Sequence, residues 1–387
     1  MQDRIGLRAF RGTRGFSAQP APAAADTRGM RTCTAIAVAL VTAATSGCAR
    51  HARRSAPPEQ AEVHVTRAMA ALQGGDLDRA EAELTLALEY APLPTAYNGL
   101  GLVARQRGDL RTAAFYFGRA IELNDDFAEA HSNLGAIALE QGDPIGAEEH
   151  FRAALAIDPG YREARHNLAR ALLLRGDYAG ARAQLMKLTS ADDQYADGWA
   201  ELALVELALG HRAAADRAIR TALALDPAHA TALRARADLA RAGGDYAAAL
   251  ADYGAAIAAR GEFADALVGR GVTYLLVGRR ADALRDLERA VRLAPNDAAA
   301  RFAYGAALAD SGDDRGAVRE LGHAIDLRAA WGAAYAEAHL LRAQARERLG
   351  DAAGARADYE AFVAAAGDRP GLAAQVAAAR DRARRLR

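Results

Sequence analysis

Nine glycines set the frame of this chain. Gly75, Gly108, Gly142, Gly176, Gly210, Gly244, Gly278, Gly312 and Gly350 follow one another at intervals of 33, 34, 34, 34, 34, 34, 34 and 38 residues. A fixed period of this length means that one supersecondary unit recurs, each copy burying its apolar face against its neighbours rather than in a core of its own. Most of these glycines are followed by Asp. That pair suits a tight turn into a new helix, because glycine takes a positive φ without steric cost and aspartate is favoured at helix caps.

The other columns keep the same step. Five residues after each glycine stands an alanine: Ala80, Ala113, Ala147, Ala181, Ala215, Ala249, Ala283, Ala317 and Ala355. Four residues further on comes a large residue: Leu84, Phe117, Phe151, Leu185, Ile219, Tyr253, Leu287, Leu321 and Tyr359. Seven after the first alanine a second small residue usually follows, a column broken by Leu188 and Phe362. Positions four and seven apart share one face of a helix, so these columns predict a second helix in each unit, with small residues admitting close approach and the large one filling the gap. Composition agrees: 51% of residues are hydrophobic but only 6% aromatic. An alanine-rich chain of this kind suits closely packed helices.

The first helices carry Leu100-Gly101, Leu134-Gly135 and Leu168-Ala169, with Trp199 in the fifth unit. Together these columns resemble the tetratricopeptide repeat. The resemblance covers residues 61 to about 367 and implies an all-α, right-handed superhelical solenoid of about nine helix-turn-helix repeats. The repeats start near 61, 94, 128, 162, 196, 230, 264, 298 and 336. Repeat six, with Arg236 where Leu is usual, and repeat nine are the least regular, and extra residues near 331–335 lengthen the step between repeats eight and nine. Residues 368–387 read as a capping helix with an apolar stripe of Leu372, Val376, Ala379, Ala383 and Leu386, since a terminal repeat needs its open face covered.

The amino terminus has a different character. Residues 1–29 lack apolar periodicity and read as a disordered or untranslated leader. Residues 30–47, from Met30-Arg31 through an apolar run to Thr45-Ser46-Gly47, resemble a bacterial lipoprotein signal that ends at Cys48; Thr45 stands where the family has Leu. The resemblance implies that Cys48 carries a lipid anchor, that residues 48–60 form a tether, and that the chain sits at the outer membrane facing the periplasm, with a cytoplasmic location as the alternative. Both cysteines, Cys33 and Cys48, precede the repeats, so no disulfide is expected in the body.

No catalytic constellation is visible. The nine histidines form no His-x-x-x-His pair, and the glycines belong to inter-helix turns rather than to a phosphate-cradling loop. No metal or cofactor is expected, and the chain reads as a non-enzyme. Lys plus Arg and Asp plus Glu are 49 each, which leaves no electrostatic case for a nucleic-acid partner; no small-molecule substrate is expected either.

In the resembled family the first helices line a concave groove that holds extended peptides or helices. The residues expected there are Asn98, Asn133, His166, Asn167, Arg170, Glu201 and Phe302, the last as an apolar anchor. Asn133 and Asn167 stand one repeat apart and resemble the asparagine ladder of the O-linked N-acetylglucosamine transferase repeats, where side-chain amides grip peptide backbone. The lysines and arginines of a carboxylate clamp are not evident. The expected function is a protein-interaction scaffold assisting assembly of an envelope machine, by analogy of layout with lipid-anchored repeat proteins of type IV pilus assembly. Alternatives are an adaptor for peptidoglycan enzymes or proteases, and a cytosolic scaffold or co-chaperone.

Overall fold

In the computed structural model, which describes residues 58–329, 335–367 and 369–386, all nine framing glycines have a positive φ, between +76° and +89°. Each closes a turn between two antiparallel helices. The first helices are α1 (Pro58–Gln73), α3 (Pro94–Gln106), α5 (Ala128–Glu140), α7 (Arg162–Leu174), α9 (Ala196–Ala208), α11 (Ala230–Gly243), α13 (Ala264–Leu276), α15 (Ala298–Ser311) and α17 (Ala336–Arg348). The second helices are α2 (Leu77–Tyr90), α4 (Leu110–Leu123), α6 (Pro144–Ile157), α8 (Tyr178–Ala191), α10 (Arg212–Leu225), α12 (Tyr246–Arg260), α14 (Arg280–Leu293), α16 (Asp314–Ala329) and α18 (Ala352–Ala366). A 3-10 turn (Pro370–Leu372) leads into α19 (Ala373–Arg385). No strand occurs among the described residues. The chain forms two compact units that divide after Ala164, within the first turn of α7. In each unit partner helices pack on one another, as α3 on α4 and α15 on α16, and second helices pack on the next first helix, as α4 on α5 and α14 on α15.

Helix starts follow from local chemistry. In seven of the nine second helices an aspartate after the turn glycine accepts a hydrogen bond from a first-turn N–H, as Asp76 does from Arg79 and Asp351 from Gly354. This satisfies one of the N–H groups that a helix start leaves open. His211 and Arg279 replace the aspartate in α10 and α14, and those two helices have no side-chain cap. Pro58 opens α1, so the last three residues of the expected tether are helical. Proline suits the first helical turn because its missing N–H has no partner there anyway.

The repeating columns are the core. The alanines five residues after each glycine are fully buried, as are Leu84, Phe117, Phe151, Leu185 and Tyr253. Close approach explains the Leu-Gly motif of the first helices. A Cβ on Gly101 would stand 2.5 Å from the ring of Phe117, and one on Gly135 would stand 2.7 Å from Phe151. At the carboxyl end Val376, Ala379 and Ala383 of α19 are buried against Tyr359 and Phe362 of α18, with Leu372 and Leu386 packed beside them.

A polar latch joins the two helices of most repeats. His64 Nδ1 lies 2.6 Å from Glu83 Oε2, Arg165 donates to Gln184 at 3.2 Å, Arg301 donates to Glu320 at 2.7 Å, and His339 lies 3.2 Å from Asp358. In each of these the partner stands 19 residues downstream. In repeats six and seven the buried Leu233 and Leu267 hold the upstream position. The base moves one turn along: Arg236 grips Asp252 with two bonds of 2.8 and 2.7 Å, and Arg270 grips Asp286 with bonds of 2.6 and 2.9 Å. Arg236, irregular by the sequence pattern, is therefore the latch of its repeat.

No described helix is long and apolar enough to cross a membrane. Cys48, the leader, the signal and the tether up to residue 57 lie outside the described residues.

Candidate peptide-binding face

Several fifth and sixth residues of the first helices are only half-buried, among them Asn98, Asn133, His166, Asn167 and Glu201, while others such as Gly99, Ala200 and Ala303 are buried. Asn98 is the fifth residue of α3 and Asn133 the sixth of α5. Their offset by one position brings the side chains together: Asn133 Nδ2 donates to Asn98 Oδ1 at 2.9 Å. Each amide keeps its other half, the Asn98 NH2 and the Asn133 carbonyl, without a partner among the described residues. An amide donor and acceptor side by side match the donor and acceptor of a peptide backbone.

Beyond residue 164, His166, Asn167 and Arg170 lie on α7 and Glu201 on α9. The Tyr195 hydroxyl is 2.9 Å from His166 Nδ1, with the rings edge-on at 88°. On its other side His166 Nε2 lies 2.9 Å from Glu201 Oε2. That separation is an ion-pair distance, but the N–H direction misses the carboxylate, so neither atom completes a hydrogen bond there. We read the contact as electrostatic attraction holding the imidazole between hydroxyl and carboxylate. Arg170 reaches Asn167 Oδ1 only at 3.5 Å, so its guanidinium is largely uncommitted.

Phe302 does not line an open face. It is 2% exposed and belongs to the apolar cluster of α13 to α17. Tyr335, at the start of α17, covers it at a ring separation of 4.8 Å. The expectation of an apolar anchor for a partner fails because the aromatic ring at the residue just before α17 packs onto that position.

The same device recurs along the chain, and the pattern of first helices alone does not reveal it. The residue just before a first helix reaches back to the fifth residue of the previous one. Tyr161 engages Ser132, Tyr195 engages His166, Phe263 lies 5.8 Å from the Arg234 guanidinium, and Tyr335 covers Phe302. Burial raises the Tyr161 hydroxyl above its ordinary value against the lowering effect of Ser132. The signal was present in the sequence: Phe127, Tyr161, Tyr195 and Phe263 keep the 34-residue step, and Tyr335 holds the same place before α17 after the longer last interval. Both columns mix open and closed positions: Asn133, Asn167 and Glu201 are half-buried sixth residues, whereas Ala235 and Ala303 are buried. The described residues contain no group of three or more potential metal ligands. What these residues offer is recognition chemistry: the paired amides of Asn98 and Asn133 in one unit, and an amide, a guanidinium and an oriented imidazole on α7 in the other.

Comparison with known proteins agrees with this geometry. No curated protein matches the chain. The chain is similar in structure to a tetratricopeptide repeat protein from Parabacteroides merdae, at 20% identity over 65% of this chain and 99% of that one, with a TM-score of 0.54. It is similar to human IFIT1, solved as a dimer with m7Gppp-AAAA, at 16% identity over 78% of this chain and 76% of that one, with a TM-score of 0.56. Pseudomonas aeruginosa pilF matches at 25% identity over 52% of this chain and 92% of that one, with a TM-score of 0.44. Two family models, both described as tetratricopeptide repeat, match residues 138–205 in one case and 65–122, 98–162, 200–265 and 234–279 in the other. Together they span residues 65–279, more than half of the sequence, and the chain belongs to the tetratricopeptide repeat family.

Proposed function

We propose that the chain is a non-enzymatic scaffold that holds an extended segment of a partner protein along its first helices. The observation that carries this reading is the Asn98–Asn133 pair, which presents an unpaired amide donor and an unpaired acceptor side by side. Asn167 and the largely uncommitted Arg170 add an amide and a charge on α7. Equal numbers of acidic and basic residues favour a protein over a polyanion as partner. Anchored through a lipid on Cys48, the scaffold would act at the cell envelope in the assembly of a multiprotein machine such as a pilus secretin.

The test is affinity for a partner recovered by pull-down. Each neutral hydrogen bond contributes about 0.5–1.5 kcal/mol net. Changing Asn133→Ala and Asn167→Ala together is therefore expected to weaken binding roughly ten- to a hundredfold at an unchanged melting temperature. Wild-type affinity in the folded double variant refutes this face as the binding site. Membrane anchoring is tested separately with Cys48→Ser, which is expected to abolish acyl labelling and release the protein from membranes; a membrane-bound, unlabelled wild type contradicts the anchor.

A further inference from the structure

Repeat three carries a latch of a different kind. His131 on α5 and His150 on α6 face each other with ring centroids 5.8 Å apart and planes inclined by 40°. At the same two positions repeat one places His64 against Glu83 and repeat nine places His339 against Asp358, a base against an acid. In repeat three a base meets a base. His131 Nδ1 is buried without a hydrogen-bond partner, which itself costs stability.

The surrounding charges do little to relieve the pair. On α6, Glu149 and the capping Asp143 favour a proton on His150, while Glu148 is held by Arg152. Glu140 at the end of α5 is held by Arg105 of α3. On α4, which packs on α5, Arg119 and Glu122 are engaged with each other. Glu129, in the first turn of α5, acts on Tyr161, whose hydroxyl engages Ser132. The net balance is set by burial first and His131 second, and it holds the His150 imidazole below its ordinary value of 6.5.

We propose that repeat three is an acid-sensitive joint: protonation of His150 sets a half-buried charge against the imidazole of His131, where repeats one and nine offer a carboxylate, and loosens α5 from α6. The direction follows from proton linkage. A histidine that binds its proton more weakly when folded stabilises the fold above about pH 6.5, and that contribution is lost as the pH falls below it. At the corresponding positions His64 faces Glu83 and His339 faces Asp358, so no base meets a base there. Mild acid therefore opens one repeat selectively. That repeat contains Asn133, so acid would also release its hydrogen bond to Asn98.

Hydrogen exchange on the full chain at pH 7.5 and pH 5.5, corrected for intrinsic exchange rates, tests the joint without reference to any partner. The expected result is loss of protection at pH 5.5 over residues 128–157, with repeats one and nine unchanged. Replacing the pair by His131→Tyr and His150→Tyr, the residue types that repeat two carries as Tyr97 and Tyr116, is expected to remove the acid response. If that double variant does not fold, His150→Gln deletes the proton site and is expected to remove the response. Undiminished protection of residues 128–157 at pH 5.5 in the wild type overturns the proposal, as does an equal loss in every repeat. A full acid response persisting in the substituted protein also overturns it.

Discussion

Leu188 stands where seven other repeats have alanine, and Gly198, which faces it across the repeat boundary, stands where the other first helices from α3 onward have alanine. Both residues are buried. A Cβ on Gly198 would lie 3.3 Å from Leu188 Cδ2 and 2.9 Å from the Tyr195 ring. The extra volume on α8 is offset by the missing methyl on α9.

This exchange predicts a measurable coupling. Leu188→Ala opens a cavity and is expected to cost about 2–5 kcal/mol. Gly198→Ala crowds Leu188 and Tyr195 and is expected to cost about 1–3 kcal/mol. The double variant restores the arrangement of the other repeats on the Leu188 side. Its loss in urea unfolding is expected to fall short of the sum by about 0.5–3 kcal/mol. Strict additivity contradicts the pairing.

Two adjacent glycines should respond in opposite directions. Gly244 ends α11 with φ at +87°, whereas Gly243 is the last residue of the helix and has no atom within 4 Å of an added Cβ. Gly244→Ala forces a left-handed alanine and is expected to cost about 1–2 kcal/mol. Gly243→Ala is expected to be neutral or to stabilise by up to about 1 kcal/mol, through helix propensity and a less flexible unfolded chain. Melting temperatures of the two variants give the comparison, and equal shifts would contradict it.

Asp358 is the acid on which three bases of repeat nine converge: Arg342 at 2.6 Å, Arg346 at 2.9 Å and His339 at 3.2 Å. Burial alone would raise its carboxyl. The hydrogen bonds from His339 and Arg342 and the charges of Arg342 and Arg346 outweigh burial and hold it below 3.8. A depressed acid stabilises the fold above its unfolded value and loses that contribution as the pH falls below about 3.8. Asp358→Asn is expected to cost about 1.5–3 kcal/mol at pH 7, the range for hydrogen bonds to a charged group. The gap from wild type in urea midpoint should narrow as the pH is lowered from 5 to 3. A gap that stays constant to pH 3 would show that the carboxylate is not the source.

The glycine turns, the buried alanines and the large residues were legible in the sequence because each is a strict local demand, a positive φ or a close helix contact, repeated at one step. The latches were not legible. They join residues 16 or 19 apart on facing helices, and the base moves by one turn when Leu233 or Leu267 takes its place. Phe302 was misplaced for a related reason. Its exposure depends on Tyr335, the residue just before the next first helix, which a pattern read along the first helices alone leaves out. The Asn98–Asn133 contact also escaped, since an offset of one position looks like a broken ladder until the two helices are set side by side.

The latches have a consequence for how such a chain can be cut and rejoined. His64 with Glu83, Arg270 with Asp286, and Arg301 with Glu320 each begin and end inside one 34-residue period. Excising or copying a whole period there keeps each latch intact, while ion pairs between periods, such as Arg280 with Asp310 and Arg348 with Asp314, are cut. The joint between Leu188 and Gly198 is open to such a cut as well. A crossover that separates repeat four from repeat five sets a leucine against an alanine on one side and leaves a void on the other, which makes these two repeats a pair to be inherited together.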